Sequence, residues 1–321
     1  MESQDNPQAG EAESPLLADA PDEMNVDSVD KANVGYTLQA VEENFDETKF
    51  KRELADHLGA LAVKHRVDHY TVIYLIDPVD SLSPWHSNRI YKAASAASKR
   101  KDVLLVVESP GGSIEAGYFI GKVGKRLAKD RFAVSIPRKA KSAATLLALG
   151  ADEIHMGLLS ELGPIDPQIG GFPAQGIKNS LDILSDMACR HPGAAVMLGE
   201  YLSAKLDLRV LGLFERINES AIQYAERLIS DRSLPEGRTA KNVADHLVNH
   251  YKDHGFVIDC DEATGLLGTE IIKQETDEYR FANDVFESLE LIRFVLGFRA
   301  NKDIDLVGGL DGVRVFQKRE E

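Results

Sequence analysis

Tyr70-Thr-Val-Ile-Tyr-Leu-Ile76 has no polar alternation and is rich in β-branched and aromatic side chains, which marks a strand buried on both faces. Val103 to Val107 and Phe132 to Ile136 repeat the pattern, and Glu153 to Met156 adds a fourth, shorter strand. Helical stretches separate them. Phe50, Leu54, Leu58 and Leu61 recur at helical spacing over 45–65, further helices are expected over 85–99 and from Ser113 through Leu127, and another over Ser142 to Leu149. Strands alternating with helices of this length form parallel βαβ units, so the chain is read as α/β. Beyond about 180 the pattern turns helical, with Leu181, Leu184 and Met187 on one segment and Leu211, Phe214, Ile217, Ala221, Tyr224 and Leu228 on the next. Thr239 to His250 reads as a further helix with Thr239 as N-cap, and Gly255 stands where a helix end favours positive φ.

The ends differ from the middle. The first 30 positions hold nine acidic residues and no Lys or Arg, a mixture that buries too little apolar surface to offset its ordering entropy. Residues 1–40 are therefore expected to be a disordered acidic tail, 41–300 the folded domain, and 301–321 a loose charged tail. The net charge of −15, from 37 Lys+Arg against 52 Asp+Glu, argues against a general nucleic-acid binder, because phosphates are met by clustered cations. No window approaches the roughly 18–20 apolar residues of a membrane span, and no basic start followed by an apolar stretch marks a secretory signal. Two cysteines, Cys189 and Cys260, are too few for a disulfide framework. They are expected in the core of a soluble, cytoplasmic protein.

Two turns could carry chemistry. Pro110-Gly111-Gly112-Ser113 joins a buried strand to a helix, and its adjacent glycines allow a sharp bend that exposes main-chain N–H groups at the helix start, suited to an oxyanion or a phosphate. No Gly-Lys-Ser/Thr follows, so it is not a P-loop, and it lacks the three spaced glycines of a dinucleotide site. Lys139-Ala-Lys-Ser142-Ala-Ala-Thr145 opens the helix after the third strand, where Ser142 is either an N-cap or a nucleophile. Both turns fall at the C-terminal edge of the expected parallel sheet, where sites of open α/β folds gather.

In order along the chain, Glu108-Ser-Pro-Gly-Gly-Ser113, Lys141-Ser142-Ala-Ala-Thr-Leu-Leu-Ala-Leu-Gly-Ala-Asp-Glu-Ile154, Ser160-Glu-Leu-Gly-Pro-Ile-Asp-Pro-Gln168 and the closing Gly265-Leu-Leu-Gly268 resemble the serine dehydrogenase proteinase family. That family stands with the signal-peptide-peptidase-A and Clp-protease groups in the ClpP/crotonase superfamily. The resemblance implies a ClpP/crotonase-like fold of stacked ββα units with helical C-terminal additions. It also implies Ser142 as nucleophile, an oxyanion hole from the N–H groups of Gly112 and Ala143, and Gly111 shaping the turn. Clp-type peptidases place a histidine a strand and a loop after the nucleophile, but here that stretch is Gly163-Pro-Ile-Asp-Pro-Gln168. Signal-peptide-peptidase-A relatives instead use a lysine from a following loop, and Gln175-Gly-Ile-Lys178 occupies a similar place. A buried lysine loses its proton more readily because desolvation disfavours the ammonium. Lys178 is thus the first candidate for the base and Lys205 the second; Lys141 is less suited beside Ser142, and His155 lies within the fourth strand.

His246, His250 and His254 fall at i, i+4 and i+8, bringing three imidazoles onto one helical face. Zinc ligation is one reading, but Leu247 follows His246 where a zincin has Glu, so a polar helix face with His254 at its frayed end is preferred and no metal is expected. The resulting expectation is a serine peptidase that cleaves peptide or protein substrates through an acyl-enzyme with a Ser142–Lys178 dyad. No cofactor is expected, and the assembly is expected to be a homo-oligomer, with the helices of 45–65 and 180–250 offering apolar faces. A non-catalytic scaffold and an acyl-CoA thioester enzyme on the same fold are the alternatives.

Overall fold

A computed structural model describes residues 31–42, 45–96, 101–169, 172–205 and 207–318. The first elements are α1 (Val34–Glu42), α2 (Glu47–Lys64), β1 (Thr71–Ile76), α3 (Pro84–Ser95), β2 (Val103–Glu108), α4 (Ile114–Leu127) and β3 (Phe132–Ile136). The middle of the chain gives β4 (Lys139–Ala140), α5 (Ala143–Ala148), β5 (Glu153–Met156), β6 (Glu161–Leu162), β7 (Gln168–Ile169), β8 (Phe172–Pro173), α6 (Ala174–Arg190), α7 (Ala195–Lys205) and α8 (Leu208–Ile229). Last come α9 (Ala240–Asn249), α10 (Cys260–Leu267), β9 (Ile272–Lys273), α11 (Asp277–Ala300), β10 (Lys302–Gly308) and β11 (Val313–Gln317).

The main sheet has the order β11-β10-β1-β2-β3-β5-β9, and from β1 to β9 it is parallel. Because side chains alternate across a strand, each sheet face gathers every second residue. Ile73 and Leu75 of β1, Leu105 of β2 and Val134 of β3 face Ile90 of α3, Ile120 of α4 and Leu147 of α5. Tyr74, Ile76, Leu104, Val106 and Ala133 face Phe50, Leu54 and Leu58 of α2 and Phe281, Val285 and Leu289 of α11. The result is a three-layer α/β/α body, as the unbroken apolar strands require.

A second, shorter line of pairing lies beyond the C-terminal ends of β1, β2 and β3. Leu82 bridges Gly112, Ser109 bridges Ala140, β4 pairs with β6, and Leu162 bridges Ile258. Each of the first three units therefore contributes a long strand, a short extended segment and a helix, which is the stacked ββα arrangement. Helix ends follow their capping residues: Asp46 accepts the N–H groups of Thr48 and Lys49 ahead of α2, and Thr239 with Asn242 forms a reciprocal capping box at α9.

Four expectations are corrected. Residues 302–317 are not a loose tail: β10 and β11 extend the sheet antiparallel beside β1, burying Ile304, Leu306, Val307 and Val313, while Asp305 is neutralised by Arg314 across the hairpin. Helix α1 begins at Val34, inside the stretch assigned to the acidic tail, and residues 1–30 lie outside the described residues. Cys260 is buried as expected, but Cys189 is exposed, on α6. The apolar face of α2 is spent on the core, so it is not free for assembly, whereas α6, α7 and α8 expose Ile183, Met187, Val196, Met197, Tyr201 and Leu213. Among the described residues no helix is long and apolar enough to cross a membrane.

Candidate active site

Glu108 ends β2, and the chain then crosses to the second pairing line. Ser109 exchanges backbone hydrogen bonds with Lys139 and Lys141, each 3.1 Å. The bridge between Leu82 and Gly112 uses the Gly111 carbonyl, which accepts from Leu82 N at 2.7 Å, and the Ser113 N–H, which donates to Leu82 O at 2.8 Å. This leaves the Gly112 N–H out of the pairing. Gly111 has φ +94°, and a Cβ there would sit 2.5 Å from the Lys141 carbonyl and 2.8 Å from Ser142 Cβ. Gly112 has φ +148°, and its Cβ would sit 2.3 Å from Leu82 N. Only glycine fits either position.

Ser142 stands at the start of α5 with φ 52° and ψ −116°, a conformation that L-residues rarely adopt. Its side chain makes no capping bond, so the ordinary N-cap role does not account for it. Neighbouring bonds hold the turn. Ala144 N donates to Lys141 O at 2.8 Å, and the Thr145 hydroxyl lies 2.7 Å from Ala140 O and 2.8 Å from Gly163 O while accepting the Gly163 N–H. Ala143, the first residue of the helix, is buried, and its N–H has no intrahelical acceptor.

Ser142, Gly111 and Gly112 line one cleft of about 510 Å³, together with Ile114 and Glu115 of α4, Gln168 and His254. His254 is hydrogen-bonded through Nδ1 to Asp166 Oδ1, and Gln168 Nε2 donates to Asp166 Oδ2 at 3.0 Å. The bond to Asp166, more than its partial burial, moves the imidazole above its ordinary value. Asp166 belongs to Gly163-Pro-Ile-Asp-Pro-Gln168, the stretch that holds no histidine of its own, so the pair joins residues 88 positions apart.

The expected helical face of three histidines is not formed. Helix α9 stops at Asn249 with His250 as its cap, His246 and His250 stack at 4.0 Å, and His254 lies beyond the helix on Asp166. Gly255 does not take positive φ. Among the described residues no group of three His, Cys, Asp or Glu side chains could hold a metal ion.

Of the lysine candidates, Lys141 points its ammonium at Glu161 Oε2 (3.0 Å) and the Phe256 carbonyl (3.1 Å). Lys205 is exposed in the last turn of α7, and Lys178 is in α6 with its side chain outside the described residues. His155 is buried between Thr276, Glu153 and Glu278 and does not line the cleft. Behind the turn, burial pushes the Glu108 carboxyl up to about 7, although it accepts the Lys139 N–H at 3.0 Å.

Residues 49–186 match the family model described as ClpP-like SDH-type serine proteinase. Over 97 residues, 30% of this chain and 33% of the relative, the sequence is 40% identical to an uncharacterized protein of Methanocaldococcus jannaschii. Over 91 residues, 28% and 31% of the two chains, it is 37% identical to a second uncharacterized protein of that organism. The match spans about a third of the length of these curated relatives. Among solved structures, a serine-to-alanine variant of the 1510-N membrane-bound stomatin-specific protease aligns at TM-score 0.41 and 14% identity, over 78% of this chain and 93% of that one. A lysine-to-alanine variant of the same protease, in complex with a substrate peptide, aligns at 0.39 and 16%, over 77% and 87%.

Proposed function

Proceeding from a chain whose residues 49–186 match the ClpP-like SDH-type serine proteinases, we propose that it is a serine peptidase acting through an acyl-enzyme on Ser142. The observation that carries this reading is the strained Ser142 turn, which shares a cleft with Gly111 and Gly112, the Gly112 N–H being left out of the neighbouring pairing. Strain at a non-glycine residue costs about 1–3 kcal/mol and persists where the surroundings impose it, as they do here through Ser109, Lys141 and Thr145. In the reaction Ser142 Oγ bonds to the scissile carbonyl carbon, and the carbonyl electron pair moves onto oxygen. The Gly112 and Ala143 N–H groups stabilise that oxyanion, and collapse expels the amine. Loss of one such donor costs about 100- to 1000-fold in rate.

The base expected from sequence is Lys178, as the neutral partner of a Ser–Lys dyad. A peptide or protein is the substrate. The exposed Ile183, Met187, Val196 and Met197 support assembly into a homo-oligomer, which sedimentation velocity would reveal. The direct test is labelling by a serine-reactive fluorophosphonate: the wild type labels and Ser142→Ala does not. Wild-type protein that stays unlabelled overturns the peptidase in favour of a non-catalytic scaffold.

A further inference from the structure

We propose that His254, held by Asp166, takes the proton of Ser142 and returns it to the leaving amine. This rests on the peptidase reading above and replaces the lysine in it. Three observations carry it. First, His254 and Ser142 line the same cleft, whereas Lys141 is tied to Glu161 and His155 is buried elsewhere. Second, a carboxylate only accepts hydrogen bonds, so the contact with Asp166 Oδ1 puts the proton on Nδ1, against which Gln168 Nε2 also lies at 3.3 Å, and Nε2 is the ring atom with no hydrogen bond among the described residues. Third, the orienting group is itself positioned: Asp166 is almost fully buried, and its second oxygen accepts from Gln168, another wall of the cleft. A nucleophile, an imidazole and a carboxylate that orients the imidazole is an arrangement recognised by geometry and not by order in the chain.

The proton balance is simple. As Ser142 Oγ bonds to the carbonyl carbon, its proton passes to Nε2, and the imidazolium is stabilised by Asp166. As the C–N bond breaks, that proton goes to the departing nitrogen. Water then attacks the acyl-enzyme, giving its proton to Nε2 and its hydroxide to the carbonyl carbon, and as the C–Oγ bond breaks Nε2 passes that proton to Ser142 Oγ, releasing the acid and restoring the enzyme. His254 is the catalytic residue and Asp166 the positioning one. The charged groups around the imidazole are Asp166, Asp253 on its own loop, Lys141 ahead of α5 and Glu115 on α4. The acidic partners favour the protonated ring, so the rate rises with pH through a midpoint above that of a free imidazole.

The test is the rate of fluorophosphonate labelling against pH for the full chain, with Ser142→Ala as the blank and thermal melts to confirm folding. His254→Gln should slow labelling about 100-fold or more at pH 7.5. Asp166→Asn should move the acid limb to lower pH, a displacement that a merely structural role would not produce; it also decides the matter should His254→Gln fail to fold. Wild-type labelling rates in His254→Gln, or an acid limb unmoved in Asp166→Asn, overturn the assignment while leaving the peptidase intact and the base with Lys178. An unlabelled wild type removes both.

Discussion

The turn into α5 and the helices α6 and α7 are close in sequence and opposite in kind. From Ala143 to Ala151 every residue is buried, whereas α7 buries none of its eleven. Small side chains let the first segment sit inside the body and allow its neighbours to hold Ser142 in a conformation it would not choose. The second segment keeps Val196, Met197 and Tyr201 in the open. One region holds a strained backbone inside the body, and the other leaves apolar surface uncovered.

That contrast can be broken at its strong end first. Ser142→Ala should abolish fluorophosphonate labelling, and Gly111→Ala, whose Cβ meets the Lys141 carbonyl, should cut its rate by at least about 100-fold. Leu147, fully buried on α5, should cost about 2–5 kcal/mol when truncated to alanine, read by urea unfolding. Glu108→Gln sharpens the contrast through pH. The folded carboxyl is raised above its unfolded value, so the wild-type fold keeps its full stability below pH 4.5 and loses part of it as pH rises through about 7. The variant should therefore be more stable by roughly 1–3 kcal/mol at pH 8 and indistinguishable at pH 4. Ser142→Gly, which releases the positive φ, should gain about 1 kcal/mol in the same measurement while losing all labelling. Smallest is the effect on stability of Val196→Ser with Met197→Ser, within about 0.5 kcal/mol, although sedimentation velocity should show a smaller assembly.

Sequence periodicity located the strands closely: Phe132 to Ile136 and Glu153 to Met156 coincide with β3 and β5. The local turns were equally visible, since the Gly111-Gly112 turn and the Ser142 helix start are local events. What escaped were features whose cause lies far along the chain. Asp303, Asp305 and Arg314 made the C-terminus look like a solvated tail, because the pairing of Asp305 with Arg314 across a hairpin, which permits burial of a charge, is not written in either segment alone. His254 looked like the frayed end of a helix because its partner stands 88 residues earlier. The charge-rich α11, which shares a face of the sheet with α2 through Phe281, Val285, Leu289 and Ile292, was missed because exposed Leu291, Phe294 and Phe298 blur its apolar stripe.

The position of β1 has a consequence for biosynthesis. β1 lies between β2 and β10, so one of its edges stays open until residues 302–308 have left the ribosome. Thr71-Val-Ile-Tyr-Leu-Ile76 is then an uncovered template for pairing with other chains, at the very stage when β2 and β3 are already available to pair along its other edge. A chain stopped at residue 301 would keep Ser142, Asp166 and His254 and still be a poor protein, because the last strands of the sheet protect its first from self-association.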